Sequence, residues 1–170
     1  MRRLFAAVLA VCALVAPARA QNWNGPESLF AHLTGRWVLR GTIAGQQTTH
    51  DVEAAFVLNG EYIQLHEVSR EKDAKGRPQY DAIVLFAVDT ITGEHAALWL
   101  DNTASALFPP EGVGRGKPVG DSIPFIFRER NGDVFHTTFV YSRRDDSWQW
   151  IMDGESGGKR TPFARVTLTK

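Results

Sequence analysis

Histidine is the side chain best suited to acid–base chemistry near neutral pH. The sequence carries five histidines, which are His32, His50, His66, His95 and His136. No two of them lie at the His-x-His or His-x-x-x-His spacing of a metal site. The sequence also has no Gly-x-Ser-x-Gly turn and no His-Glu-x-x-His motif. A histidine site must therefore be assembled from side chains on different strands.

The two-residue period of a β-strand assigns the side chains of residues 61–70 to two faces. Glu61 and Glu67 share one face, which we expect to point outward because both are charged. Tyr62, Gln64 and His66 are then predicted to point into the interior.

Residues 95–101 place His95, Trp99 and Asp101 on one face. A strand face that combines an aromatic side chain with polar side chains is typical of the lining of a ligand-binding cavity. Trp150 falls on one face of a later strand and is predicted to reach the same interior. The predicted ligand-binding residues are Tyr62, Gln64, His66, His95, Trp99, Asp101 and Trp150.

Polar side chains inside a barrel cost roughly 1–3 kcal/mol each when they are left unsatisfied. Gln64, His66, His95 and Asp101 would therefore need a ligand, water or one another. His95 and Asp101 lie about 20 Å apart along one strand and do not pair directly. The alternative interpretation places these polar groups on the solvated surface, with Asp101 in a turn.

The elements that must position these residues begin with a short helix over 28–33, which ends at Gly35. Strands are predicted at 36–44, 48–58, 61–70, 79–88, 95–101, 122–129, 134–142, 147–153 and 161–169, with a weaker one within 112–119. Asn59-Gly60 and Asn131-Gly132 are strong hairpin turns. Nine or ten strands joined mostly by short turns predict an all-β fold, a single antiparallel up-and-down β-barrel with the helix capping one end.

The longest irregular segment covers residues 103–119 and is predicted to lie near the mouth of the barrel. Its Gly112-x-Gly114-x-Gly116-Lys117 run is not a phosphate-binding loop. Lys117 is followed by Pro118 rather than Ser or Thr, and no helix follows.

Residues 1–20 are predicted to be a secretory signal peptide that is removed, leaving one domain over 21–170. Arg2 and Arg3 precede an apolar run, and Ala18-Arg19-Ala20 is a cleavage site. The run is too short to span a membrane, so we expect a periplasmic or secreted protein. The only cysteine lies in this segment, so the remaining chain has no disulfide.

The chain as a whole has a formal net charge of +0. Removal of Arg2, Arg3 and Arg19 leaves 16 basic and 19 acidic side chains, a net charge of −3. This composition provides no basic surface for nucleic acid or for an anionic membrane.

Gly35-x-Trp37, placed after a short helix and before an all-strand chain, resembles the opening signature of lipocalin and calycin barrels. The resemblance implies that Trp37 closes the barrel floor and that a basic residue of the last strand, here Arg165, covers it.

Further segments resemble an exported bacterial lipocalin-like family of unknown function. They are Leu33-Thr-Gly-Arg-Trp37, Val57-Leu-Asn-Gly-Glu-Tyr62, Leu65-His-Glu67, residues 80–86, Leu98-Trp-Leu-Asp101 and Phe163-Ala-Arg-Val-Thr-Leu168. The chain is more distantly similar to nitrobindins and fatty-acid-binding proteins. Nitrobindins hold heme through a histidine near the C-terminal end, whereas the last histidine here is His136. We therefore predict no heme and no other cofactor.

These patterns favour a barrel that binds a small, largely apolar or amphipathic molecule in its cavity. One alternative is an interaction or structural domain without a small ligand. Another is a hydrolase or isomerase that uses His66 or His95 as general acid and base, with Asp101 orienting the imidazole.

Overall fold

A computed structural model describes residues 28–103 and 111–170. The predicted signal peptide lies outside the described residues. One short helix, α1 (Leu29–Leu33), precedes the first strand. The strands are β1 (Gly35–Ile43), β2 (Gln46–Val57), β3 (Tyr62–Ser69), β4 (Asp81–Val88), β5 (His95–Asp101), β6 (Val113–Gly116), β7 (Ser122–Arg128), β8 (Val134–Ser142), β9 (Ser147–Ser156) and β10 (Lys159–Thr169). A short 3₁₀ turn, Leu58–Gly60, joins β2 to β3.

The ten strands form one closed antiparallel barrel in which each strand pairs with its neighbours in the chain. The sheet closes between β1 and β10, where Val38 lies opposite Thr169 and Ile43 lies opposite Ala164. The predicted all-β, up-and-down barrel is confirmed. The strand that the sequence marked most weakly is β6, which is also the shortest.

Helix α1 closes one end of the barrel with apolar side chains. Phe30 and Leu33 are fully buried. The indole Nε1 of Trp37 donates to the carbonyl oxygen of Leu33 at 2.7 Å, and that of Trp148 donates to the carbonyl oxygen of His32 at 3.3 Å. Because these bonds satisfy both buried indoles and free carbonyls of the helix end, they fix α1 across the opening.

Trp37 lies at this closed end, as the resemblance to lipocalin and calycin barrels implies. The expectation for Arg165 is wrong. The alternation of β10 buries Val166, so Arg165 points outward and binds Asp153 at 2.5 Å. Lys170, which follows β10, covers Trp37 instead, with Nζ 5.0 Å from the ring centroid.

Aromatic rings fill the barrel next to this closed end. Phe139 stacks on Trp150 with the ring centroids 4.3 Å apart, and Phe86 meets Phe139 edge-on at 5.7 Å. Trp150 is fully buried and donates from Nε1 to Thr137 Oγ1 at 2.5 Å. This half of the barrel is therefore a packed core, and an internal space must lie towards the other end.

Candidate functional site

A cavity of about 500 Å³ occupies the end of the barrel away from α1. Its walls come from the last residue of β1, the first residues of β2, the last residues of β3 and β5, and the segment before β4. Thr103, Glu111 and Gly112 also line it. The predicted position of the 103–119 segment near the mouth is thus confirmed for these three residues, while 104–110 lie outside the described residues.

One wall of the cavity is apolar. Trp99 meets Phe127 edge-on, with ring centroids 6.1 Å apart, and contacts Trp150 of the packed core at 5.3 Å. Phe135 and Phe163 meet at 5.5 Å closer to the opening. The wall can therefore contact a flat or aliphatic body along its length.

The cavity floor is set by a single row of facing residues across three strands. Glu67 lies opposite Ala82, and Ala82 lies opposite Asp101. One row closer to α1, Leu65 and Val84 are fully buried and close the interior with aliphatic side chains. Glu67 and Asp101 are therefore the deepest acidic groups of the cavity, with a small side chain between them.

Glu67 is held by His50 from the neighbouring strand. His50 Nδ1 lies 2.5 Å from Glu67 Oε1, and the two side chains are 4% and 1% exposed. Burial raises the pKa of Glu67, while the hydrogen bond and the charge of His50 oppose this shift. The pair keeps two ionisable groups inside the barrel because each satisfies the other.

A chain of hydrogen bonds fixes the tautomer of His50. Thr48 Oγ1 lies 2.7 Å from His50 Nε2 and donates to Glu71 Oε2 at 2.9 Å. Burial raises the pKa of Glu71, but hydrogen bonds from its own backbone, Thr48 and Thr49 outweigh this and lower it. Glu71 is therefore an acceptor, so the single hydroxyl hydrogen of Thr48 points to Glu71. His50 Nε2 must then carry a proton and donate to Thr48.

Tyr80 covers the other side of the imidazole. Its ring stacks on His50 with centroids 5.6 Å apart, and its hydroxyl accepts from Trp99 Nε1 at 3.0 Å. Burial, with smaller contributions from Glu67 and Asp101, raises the pKa of Tyr80 far above its usual value. Tyr80 is therefore a neutral side chain that joins the polar floor to the aromatic wall.

One acceptor on the floor has no partner within the described chain. Glu67 Oε2 is buried and makes no hydrogen bond there, although Oε1 of the same carboxyl is bound to His50. Buried polar atoms in native proteins are nearly always hydrogen-bonded. The atom therefore marks a position where a donor group would be stabilised.

The predicted inward face of β3 is wrong. Ile63, Leu65 and Glu67 point into the barrel, whereas Tyr62, Gln64 and His66 lie on the outer face. The side chain of His66 is 45% exposed and binds Asp81 at 2.9 Å. The assignment fails because Glu67, whose charge suggested an outward position, has a buried partner on β2.

The other predicted residues do point inward, but only two of them reach the cavity. Trp99 and Asp101 line it. Trp150 is buried in the packed core beneath Trp99. His95 is 8% exposed and contacts Phe30 of α1 at 5.0 Å, at the closed end. Burial lowers the pKa of His95 to about 4, so it is a neutral core side chain.

Sequence reasoning missed His50, Glu67 and Tyr80. A signal for His50 was present, because it shares one face of β2 with Val52 and Ala54, both of which are buried. Tyr80 carried the same signal, because within the predicted strand 79–88 it shares one face with Ala82, Val84 and Phe86, all of which are buried.

The fold and the site together define a closed ten-stranded antiparallel barrel with one packed half and one hollow half, which is consistent with a calycin-like fold. No protein-family model and no curated protein matches the chain. Within residues 28–103 and 111–170, no helix is long and apolar enough to cross a membrane. In the same ranges, no three His, Cys, Asp or Glu side chains are grouped so that they could hold a metal ion.

Proposed function

We propose that this protein binds a small, largely apolar molecule in the hollow half of its barrel. The cavity of about 500 Å³ carries the proposal, because it falls in the size range of small-molecule sites and combines aromatic walls with a few polar groups at one end. A well-packed interior would leave voids scarcely larger than a water molecule. The space between the Glu67 row and the mouth is therefore a feature that packing alone does not explain.

The test is a titration with N-phenyl-1-naphthylamine, a neutral probe that fluoresces in apolar surroundings. We expect saturable binding, weakened by Phe127→Ala, which removes part of the aromatic wall. Ile126→Ala is the matched control, since the neighbouring Ile126 is 38% exposed on the outer face. Absence of saturable binding, or equal losses in both variants, would contradict the proposal.

We also propose that the protein acts outside the cytoplasm, as an exported member of the lipocalin-like group that its motifs resemble. The support is the signal-peptide pattern of residues 1–20. Mass spectrometry of protein purified from its own cells tests this. A chain beginning at Gln21 is expected, and a chain that retains residues 1–20 would overturn it. Native mass spectrometry of the same preparation, together with organic extraction of a second portion, identifies any natural occupant of the cavity.

Acid–base catalysis at His50 is a second candidate function. The observation that favours it is the buried Glu67–His50 contact at the cavity, an arrangement that orients and polarises an imidazole. His66 and His95 do not support catalysis, because His66 lies outside the barrel and His95 lies at the closed end. Thr48 is not an activated nucleophile here, since its hydroxyl accepts a hydrogen bond from His50 and donates its own hydrogen to Glu71.

A screen of ester and keto–enol substrates with apolar bodies tests this second candidate. Turnover that is lost in His50→Gln and retained in His66→Gln would support it. Turnover equal in both variants would exclude His50 as the catalytic group.

A further inference from the structure

Carboxylates dominate the charged groups around the cavity. Those that line it are Glu67, Glu71, Asp101, Glu111 and Glu129. None of the described lining residues is a lysine or an arginine. Arg130 pairs with Glu111, but its side chain is 78% exposed and points away from the interior. The described walls therefore favour a positive charge over a negative one.

The unpartnered oxygen on the cavity floor indicates which kind of polar group the ligand carries at that end. Glu67 Oε2 is an acceptor whether the proton shared with His50 resides on Glu67 Oε1 or on His50 Nδ1. A carboxylate or an ether on the ligand cannot satisfy it, because neither has a hydrogen to donate. A ligand with an N–H or O–H group at its polar end can satisfy it.

The surroundings of this acceptor distinguish an ammonium from a hydroxyl. Asp101 lies two strands from Glu67 in the same row, about 10 Å away between backbones by the usual strand spacing. Ala82 occupies the strand between them, and its side chain is only a methyl group. Trp99 and Tyr80, joined by their hydrogen bond, line the same cavity with aromatic rings. Acidic groups and aromatic rings that line one cavity are the usual environment of an organic cation.

We propose that the occupant is an amphipathic organic amine whose ammonium group donates to Glu67 Oε2 at the acidic end of the cavity, with its apolar body along the Trp99–Phe127 wall. This inference rests on the proposed function and adds the chemical class of the ligand. The ammonium supplies the hydrogen that Oε2 needs, and its charge is attracted by the acidic lining.

Isothermal titration calorimetry with three probes that share one apolar body tests the inference on the full chain. The probes are 2-(1-naphthyl)ethylamine, 2-(1-naphthyl)ethanol and the carboxylate of 1-naphthaleneacetic acid. We expect the amine to bind about 10- to 100-fold more tightly than the alcohol, as a charge-assisted hydrogen bond provides, and the acid to bind least. An alcohol or acid that binds as tightly as the amine would overturn the inference and leave the proposed function intact. If none of the three binds and N-phenyl-1-naphthylamine does not bind either, the proposed function fails as well.

Variants locate the preference within the cavity. Glu67→Met removes the acceptor at similar volume, and we expect the amine-to-alcohol ratio to fall to about one. Glu53→Met is the matched control, because Glu53 lies on the outer face of β2 with its side chain 61% exposed. Asp101→Asn should lower the ratio while retaining the bonds that Asp101 accepts from Thr103. A ratio unchanged in Asp101→Asn and in a folded Glu67→Met would overturn the assignment.

Discussion

The contact between His50 and Glu67 lets two ionisable side chains occupy the barrel interior as a pair without net charge. One proton lies between Nδ1 and Oε1, and a second is fixed on Nε2 by Thr48 and Glu71. Each partner would be costly to bury alone, since an unpaired buried charge is strongly destabilising. The pair should therefore act as a unit in stability measurements.

Replacement of His50 by alanine tests this dependence. The change leaves Glu67 buried without its partner and removes the ring on which Tyr80 stacks. We expect a loss of about 3 kcal/mol in the free energy of unfolding, measured with urea. His66→Ala removes an exposed histidine from its ion pair with Asp81 and should change stability by less than about 1 kcal/mol. Equal losses in the two variants would contradict the role assigned to the buried pair.

His95 gives a separate prediction for pH dependence. Its pKa is about 4 in the folded protein and about 6.5 in the unfolded chain, so between these values only the unfolded chain binds the proton. The free energy of unfolding should fall as pH is lowered from about 6.5 to about 4, by at most about 3 kcal/mol from this group. His95→Phe, which retains a ring against Phe30, should flatten the urea-unfolding stability curve over that interval. The two curves should run parallel above about pH 7, and an unchanged slope below it would contradict the assignment.

The two-residue period of the sequence predicted where the strands occur better than it predicted which face of each strand points into the barrel. The inward faces predicted for His95, Trp99 and Asp101 in β5 and for Trp150 in β9 are confirmed by the structure. In β3 the alternation of Ile63 and Leu65 competed with the charge of Glu67, and the charge misled the assignment. A single sequence cannot decide such a conflict, because the partner that makes a buried Glu67 acceptable lies on another strand.

Gly41 lies inside β1, where a glycine is predicted to mark either a bend or a close approach, and the structure shows a close approach. Its φ is +150°, and a Cβ there would lie 2.3 Å from the carbonyl oxygen of Arg165. Gly41→Ala should therefore separate β1 from β10 and lower the thermal midpoint by several degrees, since a loss of about 1 kcal/mol shifts it by about 3 °C. Gly154→Ala is the control, because a Cβ there would meet only Thr161 Oγ1 at 3.9 Å. Equal effects of the two changes would exclude backbone crowding as the cause.

The whole molecule divides into a packed half and a hollow half, and the sequence predicted the barrel but not this division. Trp99 and Trp150 look alike as aromatic residues on inward faces. Trp99 lines the cavity, whereas Trp150 is sealed beneath it because Phe139 of β8 and Trp99 itself pack against its ring. Pattern reasoning gives a face for each side chain but not the volume left between facing side chains.

Binding in the hollow half should stabilise the entire barrel, because only the closed sheet brings β2, β3, β5 and β9 around one space. A bound probe at 100 times its Kd should add about 2.7 kcal/mol to the free energy of unfolding. Differential scanning calorimetry with the naphthyl amine should show this as a rise in the single transition. A transition that does not move at saturating probe would mean that the probe binds the unfolded chain as tightly as the folded barrel, which would contradict a site in the hollow half.

The pairing of the first strand with the last has a consequence for protein synthesis. β1 leaves the ribosome first, yet one of its two edges finds its partner only when β10 has emerged. At ordinary elongation rates this interval is on the order of ten seconds. Throughout it, backbone donors and acceptors from Val38 to Ile43 lack their native partners and form an edge that other chains can pair with. Each newly made molecule therefore passes through an open sheet that is prone to aggregation, and correct folding requires that this edge be protected until the barrel closes.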